Sequence, residues 1–142
     1  MSVLAELAQK LVGDGVGVLA STIFYSSLAI LPDSGTPPFI VLLETGGVGP
    51  GGFRGEGGRI QNQAGVSLQH PTVQVTAIGE DEAATRALAK LAYNSFDGTW
   101  NELLSGVMYL SITPRQEPTD TGLDDKGRIR ITFNVDTEKE PS

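Results

Sequence analysis

Cysteine is absent from this chain of 142 residues, and histidine occurs once. Without a thiol, the chain forms no disulfide, no thiolate nucleophile and no cysteine-ligated zinc site. No apolar run approaches the roughly 20 residues that span a bilayer. The first ten residues alternate polar and apolar side chains and lack the apolar core of a signal peptide. We therefore expect a soluble protein with no membrane partner, made and kept in a cytoplasm-like compartment.

Basic residues are also few, since 10 Lys and Arg stand against 17 Asp and Glu, for a formal net charge of −7. This balance disfavours nucleic-acid binding through a broad basic surface, and solubility is the simplest explanation of the acidity. Hydrophobic residues make up 39% of the chain and charged residues 19%, close to globular averages. The length fits one domain over residues 1–142.

Apolar periodicity predicts two helices and about five strands. Helical spacing of apolar residues predicts helices over residues 2–12 and 80–96. Strands are predicted over residues 22–26, 39–45, 71–78, 107–113 and 128–136. A mostly antiparallel sheet with both helices packed on one face would bury every apolar stripe, so the predicted fold class is α+β. Trp100 is predicted to cap the core and residues 139–142 to fray.

Glycine is abundant, with 18 residues, and it concentrates in the segment GGVGPGGFRGEGG. This segment has no periodicity, which predicts a long flexible loop over residues 46–69. Phe53, Arg54 and Arg59 lie inside it. Aromatic and arginine side chains dominate interface energetics, so these three are candidate anchors on a partner. The alternative is an exposed loop in which the same side chains are incidental.

The motifs that suggest chemistry have simpler structural explanations. Residues 47–52 match the spacing GxGxxG, but no helix pattern follows to bind a pyrophosphate. His70 precedes Pro71, which constrains it to an extended strand start, and no nucleophile or ligand cluster accompanies it. Asp120, Asp124 and Asp125 miss the spacing of a calcium loop and suit turns. We therefore predict no catalytic, metal or cofactor site, and no enzyme.

Three segments of the second half carry a resemblance. Residues 70–75 read HPTVQV, residues 105–112 read SGVMYLSI, and residues 124–128 read DDKGR, followed by Phe133 and Asn134. In this order and spacing they resemble the minor capsid or tail terminator family of long-tailed bacteriophages, the tail completion proteins of siphophages. The resemblance covers most of the chain from about residue 39 onward. The 46–69 segment departs from the family, being longer and richer in glycine.

The resemblance implies a ring, commonly of six subunits, at the head-proximal end of the tail tube. The protein would then belong to the tail or neck region of a virion assembled in the host cytoplasm. Its implied partners are further copies of itself, the tail tube protein and the head–tail connector or neck protein. DNA would pass through the channel without sequence-specific binding, and no catalytic residue comes with the family.

We expect partner or intersubunit contacts at six side chains, which are Phe53, Arg54, Arg59, Arg115, Arg128 and Arg130. Two other functions remain open at this point. The chain could be a neck or head-completion protein of the connector, one ring higher in the particle. It could also be a small ligand-binding or enzymatic α+β domain, a class that the missing site chemistry disfavours.

Overall fold

The computed structural model describes residues 3–17, 23–26, 38–48, 68–123 and 127–140. These residues form two helices and seven strands. In chain order they are α1 (Val3–Gly13), β1 (Ile23–Ser26), β2 (Phe39–Val48), β3 (His70–Gly79), α2 (Glu82–Phe96), β4 (Thr99–Leu104), β5 (Val107–Pro114), β6 (Thr119–Leu123) and β7 (Ile129–Lys139).

All seven described strands belong to one sheet. Six of them follow the order β1-β2-β3-β7-β5-β4, and β6 lies off this path and pairs with β7. The first pair, β1 and β2, is parallel, and every other pairing is antiparallel. The eleven-residue strand β7 is long enough to hold two neighbours on one side. Its C-terminal half pairs with β5 and its N-terminal half pairs with β6. The predicted α+β class with a mostly antiparallel sheet is confirmed.

The predicted count of about five strands is wrong, because β4 and β6 were missed. The sequence of β6, TDTGL, has one apolar residue, and all five of its side chains are exposed. The sequence of β4, TWNELL, follows helix α2 after a two-residue turn and carries no alternation. Both strands are defined by pairing with a neighbour, and local periodicity does not report pairing.

Both helices pack on the same face of the sheet, as predicted. The core contains leucines of α1 and small or aromatic residues of α2. Alternate residues of β7 face these helices, and they are Ile131, Phe133 and Val135. A second, smaller cluster lies on the opposite face, where Phe39, Val41 and Ile78 are buried with Phe24 packed against them. The helices therefore bury one face of the sheet, and the opposite face is buried only around the smaller cluster.

Two predicted boundaries need correction. The flexible loop was predicted from residue 46, but β2 continues to Val48, paired with β3 after a bulge between Glu44 and Gly46. At its other end Gln69 exchanges hydrogen bonds with Lys139. The tail was predicted to fray from residue 139, but Lys139 ends β7 and is 2% exposed. Residues 49–67 lie outside the described residues, as do residues 141–142, so the rest of both predictions is untested.

Helix α2 begins where β3 ends, through a compact cap. Asp81 is the N-cap, and its Oδ2 accepts a hydrogen bond from the Ala84 amide at 2.9 Å. The Thr85 hydroxyl donates to the Asp81 carbonyl at 2.7 Å. A side chain at Gly79 would place its Cβ 2.1 Å from Thr85 Oγ1 and 3.1 Å from Pro38 Cβ. The absence of a side chain at Gly79 therefore lets α2 pack closely on the sheet.

Replacing this glycine tests the close approach. Gly79→Ala is expected to lower the free energy of unfolding by about 1–3 kcal/mol, because Thr85 is buried and hydrogen-bonded and has little room to move. Gly13→Ala is the matched control, since a Cβ there meets nothing within 4 Å. Urea unfolding followed by circular dichroism measures both. Equal stability of the two variants would contradict the packing described here.

Candidate interaction surfaces

A buried polar cluster joins the first helix to the last strand. Glu6 of α1 is 0% exposed and Lys139 of β7 is 2% exposed. Lys139 Nζ lies 2.9 Å from Glu6 Oε1, and the Tyr109 hydroxyl donates to the same oxygen at 2.5 Å. The Lys139 ammonium also lies 5.4 Å from the centre of the Tyr109 ring. The three residues belong to α1, β5 and β7, so one carboxylate joins three elements.

The geometry of this cluster gives it a structural role. Burial and the hydrogen bond to Glu6 raise the pKa of Tyr109 well above its usual range, so the hydroxyl remains a donor. Glu6 Oε2 is buried and accepts no hydrogen bond from the described residues. An ion pair in such a site gives little net stability, but losing one partner leaves a buried charge uncompensated. The cluster therefore fixes how α1 seats on the sheet.

A second set of polar contacts holds the other end of α1. Lys10 Nζ lies 3.1 Å from Asp14 Oδ2 and 3.2 Å from Glu102 Oε2. The Ser95 hydroxyl donates to the same oxygen of Asp14 at 2.5 Å. That hydrogen bond, helped by Lys10, holds the pKa of Asp14 below its usual value despite opposing desolvation. These contacts connect α1 to α2 and to strand β4.

The three described arginines among the predicted contact residues lie on the helix-free face or at its margin. Arg130 stands opposite Ile78 in the register, and its Nη2 donates to the Thr121 carbonyl at 3.2 Å. The Arg128 guanidinium lies 5.2 Å from the centre of the Phe39 ring. Arg115 follows β5 and binds Asp136 of β7.

These arginines differ in what they can present to a partner. Arg115 is more than half exposed, whereas Arg128 is 8% exposed and covers the Phe39 cluster in the isolated protomer. Arg130 is partly buried, and its Nε lacks a hydrogen-bond partner among the described residues. Contact with a partner stays a prediction for all three. Phe53, Arg54 and Arg59 lie outside the described residues.

The Arg115–Asp136 pair is the strongest exposed charge contact on this face. Arg115 Nη2 lies 2.6 Å from Asp136 Oδ1, and Arg115 Nε lies 3.2 Å from Oδ2. The Thr72 hydroxyl donates to Oδ1 at 3.1 Å. The hydrogen bonds from Arg115 are the main cause that holds the pKa of Asp136 below its usual value of 3.8.

Strand β4 carries two large apolar side chains in solvent. Trp100 is 68% exposed and Leu103 is 62% exposed. The prediction that Trp100 caps the core is therefore wrong. Asn101, between them, has a positive φ of 50°. Thr99, the residue before Trp100, is buried and pairs with the core residue Ile112, so strand alternation points Trp100 away from the helices.

The described residues contain no group of three or more His, Asp or Glu side chains that could hold a metal ion. His70 is the first residue of β3, and its Nδ1 lies 3.7 Å from Glu138 Oε2 on the neighbouring strand. Neither described helix is long and apolar enough to cross a membrane, since α1 has 11 residues and α2 has 15.

No family model and no curated protein matches this chain. Among solved structures, a chain of the virion of the native gene transfer agent (GTA) particle has the same fold, with a TM-score of 0.66. The two share 15% sequence identity, and the match covers 99% of this chain and 96% of that chain. Nearly the whole of each chain is therefore built on one architecture.

Removing the buried ammonium tests the cluster at Glu6. Lys139→Met is expected to lower the free energy of unfolding by about 3–5 kcal/mol, because Glu6 would remain buried without its counter-charge. Adding Glu6→Gln should restore much of the loss, since the amide oxygen can still accept from Tyr109. Arg115→Met, at an exposed pair, should cost far less. Urea unfolding of the four proteins measures these differences, and equal losses at the two sites would contradict the argument.

The Arg115–Asp136 contact predicts a dependence on pH. A carboxyl whose pKa is lowered on folding contributes stability above its unfolded pKa, here about 3.8, and loses it as the pH falls through the folded value. Arg115→Gln should raise the pKa of Asp136 toward 3.8 and flatten the acid limb of the stability curve. Carboxyl-carbon NMR titration measures the pKa directly. An unchanged titration of Asp136 in the variant would refute the assignment of cause.

Proposed function

We propose that this protein is a structural component of a phage-like virion, a ring-forming tail terminator that caps the tail tube and joins it to the head connector. The observation that carries the proposal is the fold shared with a virion chain over 99% of this chain and 96% of that one. Residues 70–75, 105–112 and 124–128, whose order resembles the tail terminator family, support the finer assignment.

The open ends of the sheet support self-assembly. Among the described strands, β1 pairs only with β2 and β4 only with β5, so these two are the ends of the main strand order, and β6 pairs only with β7. When the unlike end strands of two copies pair, the sheet continues from one copy into the next. Such a head-to-tail contact gives a closed ring when the rotation between neighbouring copies divides a full turn evenly. Rings of this kind need no catalytic group, because the function depends on shape.

The charges suit a channel through which DNA slides. The net charge is −7, and several cations of the described residues are bound to carboxylates of the same chain. A wall with few free cations repels the phosphate backbone and does not retain it. DNA would therefore pass without sequence-specific binding.

The alternative of an enzyme or ligand-binding domain finds less support in the geometry. An open groove runs between α2 and the segment before β6, lined by Ala83, Arg86, Ala87, Lys90, Glu117 and Pro118. Its Lys90 and Glu117 pair with each other at 3.2 Å. Lys90 also lies 4.7 Å from the centre of the Tyr93 ring. Lys90 and Glu117 are thus occupied by each other, and Arg86 lies 3.8 Å from Glu82 of the same helix.

Light scattering coupled to size-exclusion chromatography, with negative-stain microscopy, tests the proposed ring. We expect ring-shaped particles, commonly of six subunits as the resembled family implies, that bind the cognate tail tube protein. Particles lacking the protein should have overlong tails or tails detached from heads. A strict monomer in the presence of tail tube protein would reject the terminator. Rings that bind the portal adaptor and ignore the tail tube protein would indicate a neck protein instead.

A further inference from the structure

We propose that strand β4 is the edge through which one copy docks on the next, and that its occupant is strand β1 of a second copy. The inference rests on the proposed ring and assigns its contact. Among the described strands, β1, β4 and β6 each pair with one neighbour only, and β1 and β4 are the two ends of the main strand order. These two end strands differ in sequence and length. A contact between unlike edges is the kind that a ring requires.

Strand β4 has little of the usual protection of an edge strand. Natural edges are shielded by lysine, proline or inward-pointing charge. The sequence of β4, TWNELL, has no lysine and no proline, and its one inward-pointing charge, Glu102, is paired with Lys10 at 3.2 Å. Trp100 and Leu103 are instead 68% and 62% exposed. An edge with an exposed aromatic anchor fits an interface that a partner covers.

The backbone of β4 places Trp100 and Leu103 on the face opposite Thr99, Glu102 and the core residue Leu104. The Thr99 hydroxyl donates to the Ser95 carbonyl of α2, and Glu102 binds Lys10 of α1, so both point to the helix side. Residues three apart share a face only when the alternation is interrupted, and Asn101 with φ 50° provides the interruption. Trp100 and Leu103 are thereby brought together on the helix-free side.

Free backbone donors and acceptors of an edge strand select another strand as the occupant. Strand direction then favours β1 over a second β4. Following the pairings across the sheet, β1 and β4 run in the same direction. Rotation about a ring axis that runs parallel to the strands keeps the strand direction of every copy. It therefore places β4 of one copy parallel to β1 of the next. Two β4 strands would meet antiparallel, which closes a two-fold dimer and stops growth.

The size of the contact favours a closed ring over an isolated pair. A stable interface buries about 800 Å² per partner, and a fully covered tryptophan supplies about 150–250 Å². One six-residue edge with Trp100 and Leu103 gives only part of that area. In a closed ring each protomer is held at both edges, so rings should form without a stable dimer intermediate.

Trp100 is the only tryptophan in the chain, so its fluorescence reports directly on this contact. Its emission should move to shorter wavelength and its quenching by acrylamide should fall as rings form with rising concentration. Rings that form while Trp100 stays fully quenchable would overturn the proposal and leave the proposed function standing. A wild-type chain that stays monomeric in the presence of tail tube protein would overturn both.

Surface variants separate this edge from other exposed apolar residues. Trp100→Ser with Leu103→Ser should raise the concentration needed for half-assembly on the order of tenfold or more, with unchanged monomer stability in urea. Leu123→Ser and Leu91→Ser are matched controls, because these leucines are 63% and 53% exposed on other elements. Equal assembly of the edge variant and the controls would reject β4 as the contact.

The absence of cysteine allows the partner strand to be identified by cross-linking. Leu103→Cys and Tyr25→Cys proteins, mixed and treated with a short bismaleimide, should give a heterodimer of one of each. Tyr25 is 42% exposed on β1, so its replacement leaves the core intact. If the Leu103→Cys protein alone gives a cross-linked homodimer and the mixture gives no heterodimer, the contact is a β4–β4 pair. That result would overturn the assignment to β1.

Discussion

The carboxylate of Glu6 and the ammonium of Lys139 meet in a site closed to solvent, 133 positions apart in the chain. This contact fixes the first helix to the last strand, and the position of α1 on the helix-covered face depends on it. Tyr109 binds the same carboxylate oxygen from the strand between them. A charged pair in this place adds specificity of position, since any shift of α1 would leave a buried charge unpaired.

Because both helices pack on one face of the sheet, the opposite face and the end strands remain available to partners. The opposite face has threonines and arginine–aspartate contacts around a small buried cluster, and the sheet ends in free strands among the described residues. The end strands of such a sheet differ from each other, and its charged side chains pair with one another between helices and strands of the same chain. Such an arrangement is compatible with the assembly proposed above.

The distribution of exposed apolar residues follows the same division. Trp100 and Leu103 lie next to the edge of the sheet, while the core-facing positions of β3 and β7 are nearly closed to solvent. Hydrophobic burial stabilises the protomer, and the apolar surface that it leaves at β4 is available to a second chain. A chain of a GTA virion shares this fold over nearly its whole length.

Local sequence determined the α+β class, both helices and the strands with clear alternation, because side-chain periodicity is set by backbone geometry alone. The alternation of β7 even extends to Lys139, and Glu6 falls beside the apolar stripe of α1, which are the signals that could have suggested their burial. Only the tertiary structure decided that these two meet, that β4 and β6 are strands, and that Trp100 faces solvent. The contact of Glu6 with Lys139 joins segments far apart in the chain, and β4 and β6 are strands because they pair with β5 and β7. Side-chain periodicity within one segment reports neither kind of pairing.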